Sequence, residues 1–343
     1  MFIKRLLHFF SFTLIGLLVF ISLAVVGLFV YEPSPAEGFA FSSMGKTIQL
    51  SDGRRLAYLE SGDPNGRPVF YFHGGPGSRL EGQIYDKLDQ KLGIRMIVAD
   101  RPGYGLSDNQ ENRTYLNWAD DVAELADQLG IERFAVLGYS SGGPYAAVVA
   151  HQLPERVAVA VIVAGEGPYT SGDYPQSVLN SATFNGSGMN KMMVWSANHA
   201  PWFMRTFFTA SRILLFRDPV GMSESEGGFD FEMSAKDKQF FTRDFSHEIS
   251  ADGIESLRQG VEGMTRDLTL ERLEWPFALE EIHSPTVLIF HGDEDTTVHP
   301  AVAEYMCKHI TSCVSPTIFP GEGHSVIYYR YEEIIQTMLE AWK

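Results

Sequence analysis

One short stretch of this chain constrains its fold more than any other. An apolar, β-prone run over residues 133–138 leads to Ser140, and small, helix-compatible residues fill positions 143–150. This order predicts a strand, a sharp turn and a helix, with one hydroxyl at the apex of the turn. Gly138 and Gly142 flank the serine at the spacing that a strained nucleophile turn requires, because side chains there would clash. The stretch predicts a catalytic serine, and an ordinary glycine-rich turn is the alternative.

Strand and helix patterns alternate along most of the chain. The predicted strands cover 47–50, 55–60, 69–72, 94–99, 133–138, 157–163, 286–290 and 314–319. Helix patterns cover 81–92, 118–129, 143–150, 301–309 and 326–342. Such alternation predicts an α/β fold, in which a mostly parallel central sheet carries helices on both faces.

The alternation is interrupted once, between the sixth and seventh predicted strands. From 167 to 281 the sequence has no clear strand pattern, and Met, Trp and Phe become more frequent. We therefore expect an inserted helical lid over 167–281, between two parts of an α/β core at 45–166 and 282–343.

The N-terminal region has the composition of a membrane anchor. Residues 9–31 carry no charged side chain and are largely apolar, and a run of this length can cross a bilayer as a helix. We expect an anchor over 1–31, which contacts the membrane through 9–31, and a linker over 32–44. Lys4 and Arg5 precede the run, which predicts a single-pass protein with a cytoplasmic N-terminus and its catalytic domain on the other side. A cleaved signal peptide is the alternative, although the apolar run is long for one.

The order of motifs along the chain resembles that of the α/β-hydrolase superfamily over residues 45–343. The turn at Ser140 is followed by an acidic run after the next-to-last strand, and then by His324 in a glycine-rich loop. The family places nucleophile, acid and histidine in this order. The resemblance implies a triad of Ser140, Asp295 and His324, since the family's acid lies three residues beyond the glycine that ends the strand. Asp293 is the alternative acid.

The sequence His-Gly-Gly-Pro-Gly at 73–77 resembles the oxyanion loop of the same family. The tetrahedral intermediate of acyl transfer needs preorganised N–H donors. The resemblance implies that the backbone N–H groups of Gly75 and Ser141 supply them. Residues 100–108 also resemble a family signature, to which we assign a structural turn.

The resemblance implies a serine hydrolase that acts on a small ester or amide and needs no cofactor. We expect a carboxylic ester, cleaved through an acyl-enzyme on Ser140. An aminopeptidase similar to prolyl aminopeptidases is an alternative, because those enzymes share the 73–77 motif, but they carry tryptophan where this chain has Ser141. A non-catalytic ligand receptor of the same fold is a third interpretation, which an intact set of triad residues disfavours. Apolar residues between 192 and 216 either line a pocket for an apolar acyl group or pack against one another.

Composition and motifs exclude several other classes of protein. The net charge of −16 and the lack of a basic cluster argue against a nucleic-acid partner. The sequence has no Walker-type phosphate loop, and the pair at 247–248 lacks the second histidine of a zinc protease helix, so we expect no metal site. The two cysteines, Cys307 and Cys313, are either free thiols or one short disulfide.

Overall fold

The computed structural model of this chain describes residues 26–170, 174, 178, 192, 195–196, 199–224 and 233–343. Its centre is one eight-stranded sheet. The strands are β1 (Lys46–Gln49), β2 (Arg55–Gly62), β3 (Arg67–Phe72), β4 (Ile94–Ala99), β5 (Phe134–Tyr139), β6 (Val157–Val163), β7 (Val287–Gly292) and β8 (Thr317–Phe319).

The strands lie across the sheet in the order β1-β2-β4-β3-β5-β6-β7-β8. The β1–β2 and β2–β4 pairs are antiparallel, and all pairings from β4 through β8 are parallel. This confirms the predicted mostly parallel sheet. The carboxyl ends of the parallel strands meet at one edge of the sheet, where ligand sites of α/β folds form.

Helices connect the strands and cover both faces of the sheet. They are α1 (Asp86–Leu92), α2 (Tyr115–Gln128), α3 (Gly143–Gln152), α4 (Pro201–Arg217), α5 (Pro219–Glu224), α6 (Ala235–Gln239), α7 (Ser246–Ser256), α8 (Glu262–Leu270), α9 (Ala301–His309) and α10 (Val326–Ala341). Alternate residues of β5 point to opposite faces. Phe134 and Val136 belong to a core cluster with Trp118 of α2, while Ala135 and Leu137 belong to a second cluster with residues of α10.

The regular secondary structure that is described between β6 and β7 is helical. This segment contributes α4 to α8 and, within the described residues, no strand. Met204 and Phe208 of α4 are buried against Val261, and Phe216 is buried against Ile254. Where described, the buried apolar residues predicted for an acyl pocket therefore pack into small cores of this segment, which is the alternative that the sequence left open. The division at 167–281 into lid and core stays a prediction.

The predicted fold class was wrong at the N-terminus. Among the described residues no helix is both long and apolar enough to cross a membrane. A spanning helix needs about 20 apolar residues, whereas the described part of the chain begins with helix only over 26–30. The other residues of the predicted span, 9–25, lie outside the described residues. The predicted cytoplasmic N-terminus depends on that same span.

The two cysteines form a disulfide. Cys307 lies in α9, and it is bonded to Cys313 beyond the end of that helix. Of the two alternatives that the sequence left open, the structure contains the bonded one.

Candidate active site

The turn between β5 and α3 holds Ser140 in an unusual backbone conformation. Its φ is +53°, in the left-handed region that a residue with a side chain rarely adopts. A Cβ atom on Gly138 would lie 2.2 Å from the carbonyl oxygen of Gly142, and one on Gly142 would lie 2.1 Å from that of Phe72. Both positions therefore require glycine. The close approach to Phe72 also brings the loop after β3 against the serine.

Three side chains predicted to act together lie in one hydrogen-bonded line. Ser140 Oγ is 2.9 Å from His324 Nε2, and His324 Nδ1 is 2.8 Å from Asp295 Oδ2. Each residue follows a different parallel strand at its carboxyl end, which explains how positions far apart in sequence meet. Asp293, the alternative acid, instead accepts a hydrogen bond of 2.7 Å from the backbone N–H of Gly321.

Hydrogen bonds fix the Asp295 carboxylate on both of its oxygens. Oδ1 accepts from the backbone N–H groups of Thr297 and Val298, at 2.8 and 2.9 Å. Oδ2 faces His324 Nδ1 and also lies 3.0 Å from Nε2 of His291. Nε2 of His291 also lies 2.8 Å from the carbonyl oxygen of Val298. Because a carbonyl oxygen can only accept, this nitrogen carries the ring proton. The carboxylate therefore has four donor groups around it, two on each oxygen.

Charge attraction outweighs burial in this pair. Burial alone would raise the pKa of Asp295 and lower the pKa of His324. The attraction and hydrogen bond between the two groups reverse both effects, with His291 adding to the stabilisation of the anion, so the pKa of Asp295 falls and that of His324 rises. A His324 proton held on Nδ1 leaves the Nε2 lone pair facing Ser140 Oγ. This arrangement can remove a proton from the hydroxyl.

Asp237, which the sequence analysis did not single out, anchors the loop that carries His324. Its Oδ2 accepts from the backbone N–H of His324 at 3.0 Å, and its Oδ1 accepts from the N–H and hydroxyl of Ser325 at 2.8 and 2.6 Å. Asp237 belongs to α6, from the segment between β6 and β7. His291 was missed as well, although a histidine in a buried apolar strand, close before the acid, was a signal available in the sequence.

The loop after β3 brings Gly75 next to Ser141. A Cβ atom on Gly75 would lie 2.8 Å from Ser141 Oγ, and one on Gly74 would lie 3.5 Å from Cβ of Ser140. Within the described residues, the backbone N–H groups of Gly75 and Ser141 donate to no loop carbonyl and to no side chain. Two free N–H donors beside the serine are what an oxyanion hole requires.

A pair of buried carboxyl groups lies under the same loop. Glu81 Oε2 is 2.5 Å from the Tyr71 hydroxyl, and Asp252 of α7 accepts from the backbone N–H of Ser78 at 3.2 Å. Burial raises the pKa of Glu81 to about 7, although hydrogen bonds from Tyr71 and its neighbours oppose the shift. Burial also raises the pKa of Asp252 well above its ordinary value, and the neighbouring Glu81 raises it further. At neutral pH the pair therefore holds a proton.

This pair should make the stability of the protein depend on pH. Between about pH 4.5 and 7 the folded state keeps a proton on Glu81 that the unfolded state has lost, so the free energy of unfolding should fall as pH rises, by up to roughly 3 kcal/mol. Glu81→Gln should reduce this loss. Urea unfolding at several pH values measures it, with Glu332→Gln, on an exposed position of α10, as the control. If the free energy of unfolding depends on pH in the same way in the wild type and in Glu81→Gln, the expectation is contradicted.

The described residues contain no group of three or more His, Cys, Asp and Glu side chains placed to hold a metal ion.

Comparison with known proteins identifies the family of this chain. A family profile described as alpha/beta hydrolase fold matches residues 67–331. The non-heme chloroperoxidase of Streptomyces lividans is 35% identical over 124 residues, which are 36% of this chain and 45% of that protein. The proline iminopeptidase of Xylella fastidiosa is 34% identical over 116 residues, 33% of this chain and 37% of that protein. The chain thus spans less than half the length of these curated relatives.

Solved structures are similar over nearly the whole chain at low sequence identity. An esterase from Exiguobacterium antarcticum superposes with a TM-score of 0.57 at 21% identity, covering 87% of this chain and 98% of that one. A bromoperoxidase from Bacillus anthracis gives a TM-score of 0.60 at 18% identity, covering 86% and 99%. At these sequence identities, the structural similarity shows only that the fold is shared.

Proposed function

Because this chain belongs to the α/β-hydrolase fold family, as its motifs predicted, we propose that it is a serine hydrolase that cleaves carboxylic esters. The observation that carries the proposal is the 2.9 Å contact between Ser140 Oγ and His324 Nε2, backed by the 2.8 Å contact to Asp295. A serine hydroxyl becomes a useful nucleophile only when a base within hydrogen-bond reach takes its proton.

The proposed reaction proceeds through an acyl-enzyme. Ser140 Oγ attacks the ester carbonyl while His324 takes its proton at Nε2, and Asp295 stabilises the imidazolium that forms. The backbone N–H groups of Gly75 and Ser141 donate to the oxyanion of the tetrahedral intermediate. His324 then returns the proton to the departing alcohol. A water molecule, deprotonated by the same histidine, hydrolyses the acyl-serine and releases the carboxylic acid.

One feature of the site favours an aminopeptidase as the second candidate. Glu166 follows β6, and its backbone N–H donates to the carbonyl of Ser140 at 3.1 Å. Its side chain is buried beside Glu271, and its Oε2 has no hydrogen-bond partner in the described part of the chain. A buried oxygen without a partner could pair with the ammonium group of a substrate, and the likeness to proline iminopeptidases points the same way.

The charge of this second pair supports the ester proposal over the peptidase. Burial raises the pKa of Glu166 and raises that of Glu271 well above its ordinary value. Arg272 also lies 3.9 Å from Glu271. Burial therefore disfavours the charged form of both carboxyl groups, which weakens the attraction of this pair for an ammonium group.

Turnover of matched chromogenic substrates tests the substrate class. We expect kcat/KM on p-nitrophenyl acetate and butyrate to exceed that on proline p-nitroanilide, with negligible cleavage of the anilide. An alkoxide or phenoxide leaves more readily than an amine, and the raised pKa values of Glu166 and Glu271 weaken the attraction of this pair for a free amino group. Faster cleavage of the anilide, abolished by Glu166→Gln, would establish the aminopeptidase instead. The wild-type protein and that variant should be compared on both substrates.

A further inference from the structure

The structure assigns to Arg101 a positioning role: it orients the two N–H donors of the oxyanion hole, Gly75 and Ser141. This inference rests on the proposed function and extends it to a residue within the 100–108 turn. Arg101 follows β4 and its side chain is fully buried. A buried guanidinium is expected to be paired and hydrogen-bonded, and its partners show what it holds in place.

The guanidinium reaches both parts of the hole at once. Nη1 donates to the carbonyl of His73, and Nη2 donates to the carbonyl of Gly74 at 3.1 Å. Nη2 also donates to Ser141 Oγ at 3.2 Å. One side chain therefore connects the loop after β3 to the residue that follows the nucleophile. The planar fork of arginine can make all three contacts, which a lysine ammonium cannot do from one position.

The contact to Gly74 fixes the direction of the Gly75 N–H. The two groups belong to one planar trans peptide, in which C=O and N–H point in opposite directions. Holding the carbonyl toward Arg101 therefore turns the N–H of Gly75 away from the arginine. Its neighbour His73 reinforces this: Nε2 accepts from the backbone N–H of Arg101 at 3.2 Å, so its proton lies on Nδ1, which donates to the Gly74 carbonyl at 2.8 Å.

The charge of Arg101 also favours an oxyanion. Its Nε donates to Asp267 of α8 at 2.9 Å, and the same carboxylate pairs with Arg113. Two buried guanidinium groups thus share one carboxylate, so this group of three side chains carries a net positive charge. A fixed positive group close to the site of developing negative charge stabilises the transition state more than the ground state.

Arg113 supplies a matched control for the experiment. It is also buried and pairs with Asp267, and it donates to Tyr145 Oη at 2.6 Å and to the carbonyl of Gly263 at 3.2 Å. None of these partners belongs to the loop at 73–77 or to the turn at Ser140. Arg101→Lys and Arg113→Lys therefore perturb the same buried ion cluster, but only the first changes the contacts to the oxyanion loop.

The test measures kcat and KM on p-nitrophenyl acetate for the wild type and both variants. We expect Arg101→Lys to lower kcat by about 10²-fold, comparable to the loss of one oxyanion donor, with little change in KM. Arg113→Lys should lower kcat only a few-fold, although its Tm should fall by about as much as that of Arg101→Lys. Sulfur is a weaker acceptor than oxygen, so the wild type should prefer an ester over the matching thionoester, and Arg101→Lys should narrow that preference.

Equal losses of kcat in the two variants, or an unchanged preference for the oxygen ester, would overturn the inference. If Arg101→Lys does not fold, Arg101→Gln, which keeps N–H donors for the Gly74 carbonyl, is measured in its place. Failure of both to fold while Arg113→Lys folds would assign Arg101 a structural role and overturn the positioning role. A wild-type protein without esterase activity would refute the proposed function itself, so the two failures are distinguishable.

Discussion

Replacing Ser140 with alanine is expected to lower kcat on p-nitrophenyl esters by about 10⁶-fold, the scale of loss when a serine nucleophile is removed. The proposed acyl-enzyme forms on Ser140 Oγ, which lies 2.9 Å from His324 Nε2, and among the described residues no other hydroxyl hydrogen-bonds to that nitrogen. The fold should persist, because alanine has the same Cβ as serine at a φ of +53°. Thermal unfolding measured alongside turnover checks that expectation.

Residual turnover of a few per cent in a purified, folded Ser140→Ala protein would exclude Ser140 as the nucleophile. Labelling by a fluorophosphonate adds a second measurement, because the reagent needs an activated serine. The wild type should be labelled once and Ser140→Ala not at all. An unlabelled wild type would favour the non-catalytic ligand receptor.

Replacing Asp295 with asparagine should lower kcat by about 10⁴-fold, the effect of presenting the base in the wrong tautomer. The backbone N–H groups of Thr297 and Val298 both donate to Oδ1, so the amide oxygen must occupy that position. The amide NH₂ then faces His324 Nδ1, which has to accept rather than donate. The His324 proton moves to Nε2, where it blocks the lone pair that should receive the proton of Ser140.

Asp293→Asn is the matched control for that substitution. Its carboxylate accepts from the backbone N–H of Gly321, and an amide oxygen can still accept there, so we expect a change of only a few-fold. A larger loss of kcat in Asp293→Asn than in Asp295→Asn would move the acid to position 293.

The carboxylate of Asp295 also raises the pKa of His324, and the base must be neutral to act. The residual activity of Asp295→Asn should therefore persist to lower pH than the activity of the wild type.

Local sequence patterns determined which parts of this molecule could be predicted. The strand-turn-helix around Ser140 and the mostly parallel sheet follow from residues that are neighbours in the chain. The structure then brings Ser140, Asp295 and His324 together at the positions that the family order implies.

Contacts between distant parts of the chain were beyond such patterns. Arg101 and Asp267 are 166 residues apart in the sequence, and Asp237 and His324 are 87 apart. No local sequence spacing could predict either contact. Hydropathy alone predicted a membrane span over 9–31, and it also made the buried apolar residues of α4 resemble a pocket wall. Burial patterns cannot distinguish a pocket lining from a core, because both require apolar side chains.

The contact from Asp237 to the His324 loop bears on how this protein could be re-engineered. Within the fold family, exchanging the segment between β6 and β7 is an obvious route to new substrates, since the sheet and its loops would remain. Here that segment supplies the carboxylate that holds the backbone of both His324 and Ser325. A transplanted segment would therefore have to carry an acid equivalent to Asp237, because without it the loop that holds the proposed catalytic base would lose this anchor.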